Sequence, residues 1–186
     1  DVWLEPAANS DGGRLLVPSS ISRYLFSYQK EGVAWLWKQF TSGMGGILAD
    51  DMGLGKTAQS IAFLAAVLRC SGSRRADGRA ATERLKAGRK SAAATLEGHR
   101  AALVIVPSSL LDNWLREVKM WTKLNVAAIR KGSEKDETLR RARTGAADVV
   151  VASYKMCEGL DLSQGPATWE VVIIDEVHGH KNPKTD

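Results

Sequence analysis

The sequence predicts an α/β fold with a mainly parallel sheet between helices, and three observations predict it. Helical and strand-like patterns alternate along the chain. The strand-like segments are continuous apolar runs, such as Leu103-Val104-Ile105-Val106, which suit strands buried on both faces. One such run, Gly46-Ile47-Leu48-Ala49, passes through a glycine turn straight into a helical pattern. With hydrophobic residues at 44% of 186 positions, the chain holds one domain's worth of core.

The elements follow in order. Tyr28 to Phe40 carries Val33, Leu36, Trp37 and Phe40 at helical spacing, and Gly43 to Gly46 break the pattern. Gly46 to Ala49 reads as a strand and Ala58 to Leu68 as a helix. Further on come a strand at Ala102 to Val106, a helix at Ser109 to Trp121, a strand at Val126 to Arg130 and a helix at Asp136 to Arg143. Strands at Asp148 to Ala152 and Val171 to Ile174 complete the set.

Between the first strand and its helix lies Asp50-Asp51-Met52-Gly53-Leu54-Gly55-Lys56-Thr57. A strand, a glycine turn and a helix present backbone N–H groups and the positive end of a helix dipole to a phosphate. Lys56 then serves as a point charge, and the Thr57 hydroxyl is available to magnesium. The expectation is a nucleoside triphosphate site. The usual phosphate loop has a glycine where Asp50 stands, so this is a variant; a plain glycine turn before a buried helix is the alternative.

The last strand runs into Asp175-Glu176, two carboxylates at the carboxyl end of a buried strand, where open α/β sheets bind ligands. One carboxylate can hold the magnesium that Thr57 also approaches; the other can orient and deprotonate the attacking water. We assign Asp175 to the metal and Glu176 to the water. An acidic surface or helix-capping pair is the plainer alternative.

The net charge of +5 is concentrated in one place. Between Ser71 and Arg100 stand eight basic residues (Arg74, Arg75, Arg79, Arg84, Lys86, Arg89, Lys90 and Arg100) against three acidic ones (Asp77, Glu83 and Glu97). That excess accounts for the whole net charge. The segment, about 71–100, is rich in Gly, Ser, Ala and Arg with few large apolar residues, and reads as a basic, disordered insertion. A nucleic-acid-touching arm and a nuclear import signal are the alternatives. Cys70 and Cys157 lie in no metal-ligand spacing, and no signal peptide or long apolar span is present, so the reading is a soluble protein of a reducing compartment.

His178 completes Asp-Glu-Val-His, and four stretches together resemble the first motor lobe of superfamily 2 helicases, in particular the Snf2 family of DNA translocases. Leu25 to Trp35, reading Leu-Phe-Ser-Tyr-Gln-Lys-Glu-Gly-Val-Ala-Trp, is similar to that family's adenine-recognising segment, in which Gln29 would hydrogen-bond the base. Residues Asp50, Asp51, Met52, Gly53, Leu54, Gly55, Lys56 and Thr57 resemble the family's form of the phosphate loop, with Asp51 where glutamate is commoner. Val106-Pro107-Ser108-Ser109-Leu110, with Asn113-Trp114 and Glu117, is similar to the segment that grips the phosphates of the tracked strand. Ala152-Ser153-Tyr154 resembles the next strand-end motif, also expected near DNA.

Plainer readings stand beside these. Trp114 is read as a core residue of an amphipathic helix, and Ser108, Ser109 and Ser153 as helix caps. Val177 stands where the family usually has alanine, and Gly179-His180 replaces a basic and then an apolar residue, while His178 and Lys181 keep their places. Within the family the first two stretches look most like the branch containing the Cockayne syndrome B repair protein and the polo-kinase-interacting mitotic checkpoint translocase.

The resemblance implies a RecA-like P-loop lobe over 21–186, after a lead-in at 1–20. It implies catalytic roles for Lys56, Asp175, Glu176 and His178, ATP and Mg2+ as cofactors, and nucleic-acid contacts at Ser108, Ser109, Ser153, Tyr154 and Lys181. The implied partners are double-stranded DNA and chromatin or DNA-bound proteins, in the nucleus and away from membranes. A second RecA-like lobe would supply arginines to the transition state. That lobe, and a strand between the phosphate-loop strand and the Asp175 strand, are expected beyond Asp186, so the lobe is expected to be incomplete at its C-terminal end. On that expectation residues 1–186 alone are aggregation-prone and hydrolyse ATP negligibly. The alternatives are a lobe of an RNA helicase of the related Asp-Glu-His box group, and a nucleic-acid-binding scaffold that has kept the fold and lost turnover.

Overall fold

The computed structural model describes residues 1–6, 13–90, 100–166 and 169–176. In chain order its elements are β1 (Val2–Leu4), β2 (Leu15–Val17), α1 (Ser19–Ser22), α2 (Ser27–Ser42), α3 (Lys56–Val67), α4 (Arg74–Lys90) and β3 (Ala101–Val106). Then come α5 (Leu111–Trp121), β4 (Val126–Ile129), α6 (Lys135–Arg143), β5 (Val149–Ser153), α7 (Tyr154–Cys157) and β6 (Trp169–Ile174). They fall into two compact units, Asp1–Thr82 with Glu117–Leu124, and Glu83–Arg116 with Asn125–Asp186.

The second unit holds a four-stranded sheet in the order β4-β5-β3-β6, with every pairing parallel. The sequence predicts all four strands, and each forms within two residues of its expected bounds. Every residue of β5 is buried, and in β3 only Ile105 is partly open, as apolar runs covered on both faces require. Leu103, Ala127, Ile129, Val150 and Ala152 form one apolar cluster with Ala142 of α6, and Met156 and Cys157 of α7 pack against it. Asp148 aligns the sheet at its lower end. Its backbone N–H donates to the Asn125 carbonyl and its carboxylate accepts the Asn125 N–H, both at 2.7 Å, which brings Val126 opposite Val149. Among the described residues β6 is paired on one side only, by β3, and its Val172 and Ile174 are half exposed.

In the first unit β1 and β2 pair antiparallel, Val2 opposite Val17 and Leu4 opposite Leu15, with Leu4 and Val17 buried. The sequence treats 1–20 as a lead-in, because strands of three residues are too short for an alternating pattern to register. Within α2 Trp37 stacks on Phe40, 5.4 Å between ring centroids, and Phe40 makes the edge contact with Phe63 of α3 at 5.9 Å. At Gly32 of α2 a Cβ would lie 1.9 Å from Oε1 of the buried Gln59 of α3. Gly32→Ala is therefore expected to cost about 1–3 kcal/mol by overpacking. Urea unfolding would report that loss, and an unchanged midpoint would refute the close contact.

Two sequence readings are corrected. Gly46 to Ala49 is predicted as a strand, yet residues 44–50 have no regular structure and Ile47 is 85% exposed. An apolar run becomes a strand only where a neighbour takes its N–H and C=O groups, and among the described residues none does. The basic insertion is predicted as a disordered loop, but its first part is α4, while 91–99 lie outside the described residues. Helix formers dominate its sequence. Ser73 caps it, Oγ accepting the Ala76 N–H, and Asp77 in the first turn accepts the N–H groups of Ser71 and Gly72. Ala81 is buried, and the Arg84 guanidinium pairs with the buried Asp148 carboxylate.

Candidate nucleotide site and strand-end carboxylates

The first unit carries the glycine loop. Gly53 and Gly55 both have positive φ, 87° and 75°, a region that costs an L-residue strain. Gly55 is the N-cap of α3, with no side chain among the described residues capping the helix and no acidic residue in its first turn. Lys56 turns back on the loop, Nζ donating to the carbonyls of Asp50 (2.7 Å) and Asp51 (3.1 Å). Thr57, one residue on, is half-buried, and Met52 and Leu54 are exposed. Gln59 Nε2 donates to the Asp50 carboxylate at 3.0 Å, while its buried Oε1 has no hydrogen-bond partner among the described residues. Asp50, the residue that breaks the usual loop pattern, is thereby tied to α3.

Gln29 joins this loop to α2. Its Oε1 accepts the Phe26 N–H at 3.0 Å and its Nε2 donates to the Leu54 carbonyl at 3.1 Å. A Cβ on Gly55 would lie 2.4 Å from that Nε2, so a glycine is needed there for close approach as well as for φ. Beside the loop opens a cleft of about 660 Å3, walled by Tyr28, Glu31, Gly32 and Trp35 of α2 and by Ile47 to Asp50 with Leu54. That volume is in the range of small-molecule pockets.

The second unit carries the other predicted residues at the carboxyl ends of three adjacent strands. Ser108 and Ser109 follow β3 and are exposed; Ser153 ends β5 and is buried; Tyr154 opens α7; Asp175 and Glu176 follow β6. The Asp175 N–H donates to the Ile105 carbonyl at 2.9 Å, extending the β3–β6 ladder to the carboxylate. Asp175 Oδ2 accepts the indole N–H of Trp114 at 2.8 Å, and the Tyr154 hydroxyl donates to the Asp175 carbonyl. Glu176 has φ 55°, a left-handed conformation that costs a non-glycine residue about 1–2 kcal/mol, as does Arg69 at φ 57° just after α3. His178 and Lys181 lie outside the described residues.

Burial, followed by the negative charges of Asp175 and Glu176, raises the Tyr154 phenol above its ordinary value. A raised folded-state value means that the stabilisation is complete below the unfolded tyrosine value of about 10 and is lost as pH rises through the folded one. Absorbance titration near 295 nm is expected to show a late component that Tyr154→Phe removes. Ionisation of Tyr154 together with unfolded-like tyrosines would refute the burial.

Two residues here were not assigned to the site from sequence. Trp114 reads as a core residue, and at 1% exposure it is one, but its N–H is aimed at the carboxylate. A tryptophan that must be buried and still find an acceptor is the signal that was available. Gln59, fully buried one turn after Lys56, carries the comparable signal of a polar side chain on a buried helix face.

A parallel sheet with polar residues gathered at its carboxyl strand ends, together with a helix capped by a glycine loop, defines a RecA-like α/β lobe. The comparisons make this specific: the SNF2-related domain matches residues 28–186. DNA excision repair protein ERCC-6-like 2 of Mus musculus is 36% identical over 169 residues, covering 90% of this chain and 11% of the relative. Switch 2 of Arabidopsis thaliana is 36% identical over 174 residues, covering 91% of this chain and 18% of the relative. ISWI chromatin-remodeling complex ATPase ISW1 of Saccharomyces cerevisiae is 34% identical over 171 residues, covering 90% and 13%. The chain belongs to the Snf2 family and corresponds to its first lobe. It spans less than a fifth of the length of these relatives. Among the described residues no helix is long and apolar enough to cross a membrane.

Proposed function

We propose that the chain is the ATP-binding part of an ATP-dependent double-stranded DNA translocase of the repair or chromatin-remodelling kind, working in the nucleus on chromatin or DNA-bound proteins. The observation that carries this reading is the uncapped N-terminus of α3, where Gly53, Gly55 and Lys56 gather positive charge and backbone N–H groups with nothing acidic in the first turn. That donor set fits a polyphosphate. Lys56 exchanges the Asp50 and Asp51 carbonyls for phosphate oxygens, and Gln29 exchanges Phe26 and Leu54 for the adenine edge, so binding and loop rearrangement are one event.

Magnesium fits the remaining donors. Among the described residues no cluster of three His, Cys, Asp or Glu could hold a metal alone. Mg2+ does not need one, since it is bound through one or two protein oxygens together with substrate phosphates and water. Thr57 of the first unit would supply a hydroxyl to the ion and Asp175 of the second unit a carboxylate oxygen. When bound, the ion neutralises charge on the phosphates. Glu176 orients and deprotonates the water, His178 belongs with Lys56 and Asp175 to the catalytic set, and Ser108, Ser109, Ser153, Tyr154 and Lys181 meet DNA. The second RecA-like lobe belongs to the full-length protein and supplies its arginines, so residues 1–186 alone turn ATP over negligibly.

The test is nucleic-acid stimulation of ATP hydrolysis by the full-length protein. Duplex DNA is expected to raise turnover at least tenfold and single-stranded RNA to leave it near the basal rate. The reverse order supports an RNA helicase instead, and no turnover with either supports a binding scaffold.

A further inference from the structure

Trp114 is placed to do more than fill the core. It is 1% exposed on α5, its indole N–H donates to Asp175 Oδ2 at 2.8 Å, and it stands in the stretch that begins with Ser108 and Ser109. On the other side, the hydroxyl of Tyr154, directly after Ser153, donates to the main-chain carbonyl of the same residue. Asp175 is thus held at its side chain from the β3–α5 segment and at its backbone from the β5–α7 segment. Both segments carry polar residues out at the carboxyl strand ends, and the carboxylate is the point at which they meet.

We propose that Trp114 is a positioning residue for Asp175, fixing which carboxylate oxygen is turned outward to receive magnesium and linking the order of the β3–α5 segment to metal affinity. This rests on the reading of Asp175 as the magnesium ligand. A carboxylate with one oxygen bonded to a buried donor cannot rotate freely, so the other oxygen keeps one direction, and outer partners of this kind set metal affinity by about 10–100-fold. An indole suits the role because its N–H is a donor only and cannot compete for the cation. It also adds no charge, so the carboxylate keeps its full negative charge for the ion.

The test uses the full-length protein and a fluorescent ATP analogue, bound at increasing Mg2+ and again in EDTA. Trp114→Phe, which keeps a buried ring and removes the donor, is expected to raise the Mg2+ concentration for half-maximal binding by about tenfold, with metal-free binding within twofold. Trp114→His, which can restore an N–H, is expected to recover part of the shift. A role in packing alone would weaken both binding modes together, and that result overturns the proposal. So does an unchanged Mg2+ dependence in Trp114→Phe when Asp175→Asn shifts it strongly. If Asp175→Asn itself shifts nothing, the magnesium assignment fails first and the proposal falls with it. Should Trp114→Phe not fold, 3-benzothienylalanine at position 114 keeps the indole shape without the N–H, and the same two outcomes apply.

Discussion

Replacing Glu176 by Gln in the full-length protein is expected to lower ATP turnover by about a hundredfold or more, because a positioned general base contributes roughly 10²–10⁴-fold. ATP binding is expected to stay within about twofold. The two side chains have nearly the same shape, and glutamine tolerates the left-handed backbone at this position about as well as glutamate does, so the φ of 55° persists. What is lost is the ability to take a proton from water. Lys56→Ala makes the contrast. It removes the point charge from the phosphate loop and also the two bonds by which Nζ gathers the Asp50 and Asp51 carbonyls, so binding itself is expected to fall. Phosphate release and nucleotide binding measured on both variants separate the roles. A Glu176→Gln protein that still turns over at the wild-type rate would mean that Glu176 is not the general base.

Most of the sheet was legible because parallel strands buried on both faces leave an apolar run that little else leaves. Leu103 to Val106 and Val149 to Ala152 are such runs and form strands of the sheet interior, while Val171 to Ile174 is a strand with Val172 and Ile174 half exposed. Gly46 to Ala49 has the same composition and is not a strand, since hydrogen-bonded neighbours make a strand and composition does not name them. The glycine turn before α3 was legible through Gly53 and Gly55, whose positive φ values are the reason they must be glycine. The partners of its polar groups were not. Nothing in the sequence says that Gln29 reaches Leu54, that Gln59 reaches Asp50, or that Trp114 reaches Asp175 across 61 residues. The misreading of α4 has a different cause. Counting its arginines and few large apolar residues suggests a solvated loop, but a helix held by its caps, one buried alanine and one ion pair needs few apolar residues.

That ion pair carries the second large effect. Asp148→Ala is expected to destabilise the sheet by about 3 kcal/mol, near the low end for breaking a buried pair by removing one partner. Asp148 is almost fully buried, and its carboxylate serves two groups: Oδ2 accepts the Asn125 N–H at 2.7 Å and Arg84 Nη2 at 3.1 Å. Arg84 Nε lies 3.0 Å from Oδ1 without the alignment of a hydrogen bond, so that contact is ionic and Nη2 carries the directional part. Alanine leaves the Asn125 N–H without its acceptor and a guanidinium facing an apolar gap, although the Arg84 side chain is 29% exposed and can recover some hydration. The reverse substitution is not symmetrical. Arg84→Met keeps the Asp148 bond to Asn125, replaces the guanidinium by a chain of similar length, and is expected to cost about half as much. Hydrogen exchange at the amides of β4 and β5 reads both, because 3 kcal/mol corresponds to faster exchange by about a hundredfold where opening requires separation of the two strands. Equal effects of the two variants would show that α4 docking, rather than the clamp between Asn125 and Asp148, holds the sheet together at this end.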